Sequence, residues 1–430
     1  MQTDILIIGA GASGLAAAYE LSLVDKKVIV LEARHRIGGR IHSVADHRFA
    51  QIVETGAEFI HGKLPVTLQL LENAGIKHHV IKGKMWELEE GEIKKGGEFI
   101  AGWKKLMSHL RDLKTDIPIK EFLNQHFPDE EDKELRDSVI KFVESYDAAD
   151  ANRASSHALR DEWENEDDHE ERIDNGYLQL MHFLEGKIKE SGNDIFLSSV
   201  VKNISWQKDR VVVNTTKEEQ FIASKVLVTI PLGLWQSEEK EGHISFSPGL
   251  HKKNLAAKQM GFGTVIKIVF QFQNEFWEKE IPNKFKDASF IFSDAFIPTW
   301  WSQHPKKNGM LTGWLAGPKA MELKDKTEDE MLEKGLQSLS YIFAVDKLFI
   351  EKKLEAHFIV NWAVEPFTYG AYSYATLDTN WAKKILCEPI EDTLYFAGEA
   401  LYDGSETGTV EGALANGIEV ARNIIAQSLK

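Results

Sequence analysis

The chain has 430 residues, 43% of them apolar, one cysteine and a formal net charge of −16. That length supports two domains with sizeable cores, and the acidity argues against nucleic acid as the main partner. The lone Cys387 excludes an internal disulfide and a thiolate metal cluster, and no stretch reaches the length of a membrane span.

An apolar run, Ile5 to Ile8, reads as a buried strand. Gly9, Gly11 and Gly14 follow in G-x-G-x-x-G spacing, with Ala12 and Ser13 between the last two, and open an Ala-rich helix. The first glycine permits a tight turn and the second lets backbone approach a pyrophosphate. The third lets helix and strand pack closely, so the pattern implies a dinucleotide. A second strand, 28–31, ends at Glu32, an acid placed to bond a ribose hydroxyl and to repel a 2′-phosphate. Ala33 and Arg34 come next. At Gly38-Gly39-Arg40 the glycines bring backbone close and the arginine offers a fork to a second phosphate. With a core strand at the N-terminus, no leader is expected, and the location expected is cytoplasmic.

Residues 64–76 read as a helix ending at Gly75, 80–100 as short strands, and 101–175 as mostly helical and charged. Residues 126–174 hold 18 acidic against 6 basic side chains. The plain reading is a solvated face on a helical insertion; the sharper one is an acidic field at a substrate entrance that concentrates cations. Gly176-Tyr177 opens a helix to about Lys189. The strands IFLSS, VVKNISWQ, RVVVNT, QFIAS and KVLVTI follow, broken as hairpins by Asp209-Arg210 and the polar 214–220.

After Pro231 come strands over 264–272, 289–292 and 310–315, a helix over 327–342 and a strand over 355–362. Trp300 and Trp301 read as loop packing or as lining of a substrate domain. In the strand from Thr264, Ile266, Ile268, Phe270 and Phe272 share one face, while Val265, Lys267, Val269 and Gln271 share the other. Periodicity alone makes Lys267 a solvated strand lysine. The tail is a strand (393–396), a loop (398–408) and a helix (409–428). No Ser-His-Asp set, H-E-x-x-H or metal-ligand spacing occurs, so no metal is expected.

These motifs, in this order, resemble the FAD-dependent amine oxidase family: monoamine oxidases, polyamine oxidases and the lysine-specific histone demethylase. The resemblance covers nearly the whole chain and is weakest over 80–175. It implies an α/β fold in which a Rossmann-type FAD-binding domain is split over 1–79, 176–256 and 366–430. An inserted α+β substrate-binding domain of mixed sheet and helices would occupy 80–175 and 257–365. Gly9, Gly11, Ala12, Ser13 and Gly14 would then face the FAD pyrophosphate, Glu32 and Ala33 the ribose, and Arg34 the adenine end. Gly38, Gly39 and Arg40 match the second phosphate-side motif. Gly56, Ala57 and Glu58, within TGAEFIHG, match the segment passing near the flavin ring, and Val201 falls where the family reads adenine through backbone. Lys267 matches the active-site lysine, which would be buried, with its pKa depressed, positioning water and aiding oxygen chemistry. Tyr372 matches an aromatic wall. Gly398 and Glu399 match the C-terminal FAD motif, with Thr409 and Val410 beside the ring's carbonyl end.

Two departures sharpen this. Ala371 stands where monoamine oxidases carry the FAD-linking cysteine, so FAD should be non-covalent. Thr409 replaces a second aromatic wall, as in the demethylase branch. Trp362 and Thr409 are further substrate-side candidates. His61 resembles a polyamine-oxidase position, though a lone histidine is commonly a structural hydrogen-bonder. Glu58 would either bind a distal ammonium or accept a backbone bond.

The reaction implied is oxidation of a small amine or polyamine to an imine by hydride transfer to flavin. The imine would hydrolyse to an aldehyde, and O2 would reoxidise the flavin to give hydrogen peroxide. The partners expected are the amine and O2, without nucleic acid or membrane, for a monomer or homodimer. The alternatives are an amino-acid oxidase or desaturase of the same architecture, or a flavin-bound interaction protein with little turnover.

Overall fold

The computed structural model describes residues 1–62, 64–96, 100, 102–165, 169–281 and 285–428. Its largest sheet begins with the strand Gln2–Ile8, which pairs in parallel with Val28–Leu31 on one side and Gln220–Val228 on the other. Ile5 to Ile8 are all buried, as a parallel strand covered on both faces requires. Alternation sends Ile5 and Ile7 towards the helices Ala12–Ser22, Leu178–Glu190 and Val410–Ser428, among Leu15, Leu184 and Leu414. Leu6 and Ile8 turn to a second core with Ile204, Val211 and Phe221. Asp194–Phe196 extends the sheet beyond Val28–Leu31.

The segments QFIAS and KVLVTI, expected as two strands, form one: Gln220–Val228. Its first half pairs antiparallel with Arg210–Thr215, and its second half pairs in parallel with Leu394–Phe396. The polar Ser224 and Lys225 fall where one partner ends and the next begins, so they interrupt the apolar pattern without interrupting the strand. The C-terminal strand thereby joins the N-terminal sheet.

A second sheet runs Leu354–Asn361, Val265–Phe272, Met310–Ala316, Thr299–Ser302, Ala288–Ser293, Lys84–Glu89 and Glu92–Lys95. It brings residues 84–95 and 265–361 together. Ile266, Ile268, Phe270 and Phe272 face a core shared with Trp300, Leu336, Leu339 and Phe343. The helix Glu328–Phe343 covers that face and starts at a Thr327–Glu330 capping box. The opposite face looks towards the first sheet: Val265 packs with Ala148, Trp362 and Ala371. Lys267 lies on that face. The fold class is the two-domain α/β arrangement expected.

Of the strands that fall where none was expected, two bear on the site. Thr299–Ser302 carries Trp300 and Trp301, which therefore sit on opposite faces of a strand rather than in a loop. Glu170–Ile173 lies in a stretch read as helical and pairs with both Phe59–His61 and His78–Val80. EERI has no apolar stripe; its charged side chains are instead satisfied by cross-strand partners, as described below. Before it, the helices Ile119–His126, Lys133–Ser145 and Ser156–Asn165 bury Phe122, Val139, Val143 and Trp163 in a core of their own. Part of the acidic run, residues 166–168, lies outside the described residues. Among the described residues no helix is long and apolar enough to cross a membrane.

Candidate active site

One cavity of about 2740 Å³ runs from Glu32 and Val201 past the glycine loop to Lys267, Trp362 and Tyr372, and opens among acidic side chains. Its far end is fixed by backbone. Glu32 is buried; its carboxylate accepts from the amides of Ala10 at 2.7 Å and Arg34 at 2.9 Å. Burial raises its pKa against those bonds. Arg34 points away from the loop: Nη2 donates to Pro366 O and, at 2.7 Å, to Thr368 Oγ1. Val201 lines the same end, beside a register shift in its strand.

The glycines divide by what a side chain would meet. A Cβ on Gly14 would sit 2.0 Å from Gly9 O, so this position joins helix to strand. A Cβ on Gly11 meets nothing within 4 Å; the space beside it is cavity. Gly39 approaches Gly11 there, and Gly398, at φ +155°, also faces open space. The Ser13 hydroxyl, at the first turn of the helix, is buried without a hydrogen-bond partner. A helix N-terminus with free amides, an orphaned hydroxyl and open space above Gly11 fits a pyrophosphate. Gly38, Ala12, Ala33, Gly56 and Ala57 line the same cavity.

Arg40 reaches across the chain. Its Nη1 donates to Ala371 O at 2.8 Å and to Glu399 Oε1 at 2.7 Å, and Ser373 Oγ donates to Glu399 Oε2 at 2.6 Å. The N-terminal and C-terminal motifs are thus tied directly to each other, a link beyond the separate cofactor contacts expected. Arg36, absent from the sequence reading, staples the glycine turn by donating from Nη1 to the carbonyls of Ile37, Gly39 and Ile41. Burial, with Arg34 nearby, pulls its pKa down to about 10.

The inner end is built on Lys267, whose side chain is 1% exposed. Nζ donates to Glu58 Oε2 at 2.8 Å and to Gly56 O at 3.1 Å, and lies 5.3 Å from the centre of the Trp301 ring. A lone desolvated lysine was expected; the structure gives it a carboxylate partner. Glu58 also accepts from Trp301 Nε1 and Gln303 Nε2, both at 3.1 Å, and Arg172 Nε stands 3.1 Å from Oε1 as an ion pair. Burial works to raise the Glu58 pKa, but the Lys267 and Arg172 cations and the hydrogen bonds outweigh it and hold it at about 2. Three donors and the Arg172 ion pair take up most of this carboxylate's acceptor capacity, so Glu58 serves Lys267 rather than standing free for a distal ammonium.

The walls come from Trp362, buried, with Nε1 donating to Thr55 O at 3.0 Å, and Tyr372, whose hydroxyl donates to Tyr146 O at 2.6 Å. His61 is 41% exposed at the side chain, 3.4 Å from Glu170, with its ring edge-on to Tyr146. Thr409 donates to Glu406 O at 2.6 Å and accepts from Gly412 N at 3.1 Å, so its hydroxyl caps the final helix. Val410 begins that helix and lines the cavity. The mouth carries Glu87, Glu89, Glu130, Glu134, Asp137 and Asp161 among other acids.

Sequence reasoning missed Arg172 and Gln303, and took Trp301 for loop packing or a lining residue. The four residues of Thr299–Ser302 are too few for alternation to mark Trp301, and nothing local marks Arg172.

A family model described as flavin containing amine oxidoreductase matches residues 12–425. The chain is 29% identical to human lysine-specific histone demethylase 2, over 98% of this chain and 53% of that protein. It is 25% identical to the probable polyamine oxidase 4 of Arabidopsis thaliana, over 98% and 87%. The chain spans about half the length of the demethylases it matches. Putrescine oxidase bound to putrescine superposes with a TM-score of 0.81 at 20% identity, over 99% of both chains. Cyclohexylamine oxidase from Brevibacterium oxydans IH-35A gives 0.81 at 17%, over all of both.

Proposed function

Because the chain belongs to the flavin-containing amine oxidoreductases and has FAD as its cofactor, we propose that it oxidises an amine carrying more than one positive charge. The observation that carries this is one cavity with an acidic mouth, aromatic walls at Tyr372 and Trp362, and Lys267 at its inner end. Bound FAD supplies a two-electron acceptor for hydride from the carbon beside the amine nitrogen.

Ala12, Ser13, Gly11 and Gly39 would hold the pyrophosphate, and Glu32 the ribose. Ala371 offers no thiol, so these contacts retain the cofactor without a covalent bond. The acidic mouth draws the polycation in and binds its trailing charge. Tyr372 and Trp362 strip water from the reacting end, favouring the neutral amine, and hold its C–H bond in one orientation. Lys267 keeps one of its three protons uncommitted to Glu58 and Gly56 O, so it can hold a water at the inner wall. Release of an aldehyde by hydrolysis and reoxidation by O2 to hydrogen peroxide complete the proposal. Domain limits at 1–79, 176–256 and 366–430, around 80–175 and 257–365, and a cytoplasmic location belong to the same reading.

A second reading takes the acidic mouth as a seat for an N-methylated, lysine-rich peptide, favoured by the similarity to the demethylases. Mono-, di- and polyamines and such a peptide are added anaerobically to the yellow protein, and loss of flavin absorbance is followed. Bleaching by di- or polyamines ahead of monoamines supports the first reading, and bleaching by the peptide alone replaces it. No bleaching by any of them rules out both.

A further inference from the structure

The strand Glu170–Ile173 comes from the part of the chain that resembles the family least, yet it sends a cation into the reacting end of the cavity. Arg172 is 6% exposed. It lies directly opposite Phe59 across the strand pair, with its guanidinium carbon 4.8 Å from the centre of that ring. Nη2 donates to Ser302 O at 3.1 Å, so the plane of the fork is fixed from two sides. Nε then faces Glu58 Oε1, while Lys267 takes Oε2. Two buried cations thus share one buried carboxylate, an arrangement with a net positive charge.

We propose that Arg172 is a positioning residue that acts through Glu58: it locks the carboxylate so that the Lys267 ammonium is held by Glu58 and Gly56 O with its remaining proton directed to the cavity. The geometry separates this from simple packing. Arg172 and Lys267 are linked through the two oxygens of one carboxylate. Trp301 Nε1 and Gln303 Nε2 hold the same oxygen as Arg172, so without Arg172 the carboxylate keeps neutral donors but loses its second counter-charge. The other ionisable groups around the cluster are Glu54, which interacts with both Lys267 and Glu58, Glu170 beside Arg172, and His61 paired with Glu170. Glu171, the next residue in the strand, points to the opposite side and is taken by His78 and His169. Each partner therefore has its own counter-charge, and Arg172 is the member of this strand assigned to Glu58.

This inference rests on Lys267 lying at the reacting end, as proposed above; bleaching of the wild-type protein by an amine tests that separately. The test uses Arg172→Gln and Arg172→Lys in the FAD-loaded enzyme, with two readouts. The first is acid unfolding followed by tryptophan fluorescence. A carboxylate held below its ordinary pKa adds stability above that ordinary value, lost as pH falls through the folded-state value. Taking away one cation raises the folded-state value, so Arg172→Gln should unfold about one pH unit higher, and Arg172→Lys should recover most of the difference. The second is steady-state turnover across pH. Arg172→Gln should lower kcat about tenfold and displace its pH profile, with KM for the amine nearly unchanged.

If Arg172→Gln fails to fold, Arg172→Gln in a Glu58→Gln background carries the test, because that pair removes both charges together. Acting only through Glu58, the second substitution should change kcat by less than about twofold over Glu58→Gln alone. Additive losses, or an Arg172→Gln enzyme with the wild-type acid limb and kcat profile, would overturn the proposal.

Discussion

Replacing Gly11 by alanine separates binding of the cofactor from folding, and the structure sets the size of both effects. Gly11 sits at φ −78° and ψ −177°, a conformation alanine adopts without strain. The added methyl meets no protein atom within 4 Å. The stability of the FAD-free protein should therefore stay the same or rise by about 0.4–1 kcal/mol from the lost chain entropy of glycine. The methyl instead occupies the space beside the free amides of the helix Ala12–Ser22. Losing two charge-assisted hydrogen bonds at about 1.5 kcal/mol each gives roughly 3 kcal/mol, or more than about a hundredfold weaker FAD binding. Gly14→Ala makes the contrast: its Cβ would lie 2.0 Å from Gly9 O, so helix and strand must separate and the fold itself loses about 1–3 kcal/mol. FAD is titrated into cofactor-free protein by quenching of flavin fluorescence, and each variant is melted without FAD. Gly11→Ala binding FAD with wild-type affinity, or melting as low as Gly14→Ala, would refute the assignment of this space.

Lys267→Met leaves Glu58 with Arg172 as its remaining cation, so the protein should fold while flavin reoxidation slows by at least about tenfold; a wild-type reoxidation rate in stopped flow removes the lysine from the chemistry. Glu54 is half-buried, and its desolvation raises its pKa to about 7 against bonds from Tyr177 N and Ser43 Oγ. A carboxyl with a raised folded-state value favours the protonated fold, so stability falls as pH rises from about 4.5 to 7, by roughly 3 kcal/mol. Glu54→Gln should flatten that slope in urea unfolding, and an unchanged slope would reject it. Raising salt from 0.05 to about 0.5 M should lower kcat/KM for a polyamine far more than for a monoamine, because the mouth acts through screened charge; equal losses would deny the mouth a steering role.

Most of the fold was legible because its signals are local. Gly9, Gly11 and Gly14 declare a turn and a close approach within six residues, and the run over 327–342 declares a helix. The site was legible where residues belong to such motifs, as with Glu32 or Glu399. It was illegible where a residue acquires its role from the far side of the molecule. Arg172 lies in a run of charge that suits a solvated helix as well as it suits a strand, and its partner Glu58 is over a hundred positions away. Strand pairing with Phe59–His61 is what turns it inward, and pairing between distant segments leaves little trace in either one. Trp301 failed for a related reason, since four residues are too few for alternation to stand out.

The same limit explains what the net charge concealed. A chain at −16 suggests a uniformly negative molecule, but the structure sorts its charge by depth. Acids gather at the mouth, where water screens their mutual repulsion. At the inner end the balance reverses: one carboxylate is shared by two cations. Burying two cations on one carboxylate is costly unless further negative groups offset it, and Glu54 and Glu170 lie beside the cluster. In the reaction proposed above, the gradient from acidic rim to cationic base would draw an amine cation inward and then disfavour its charged form at the bottom, where it would lose its proton to react. Cation attraction and deprotonation are opposing demands on one cavity, and separating the two signs by depth would let a single chain meet both.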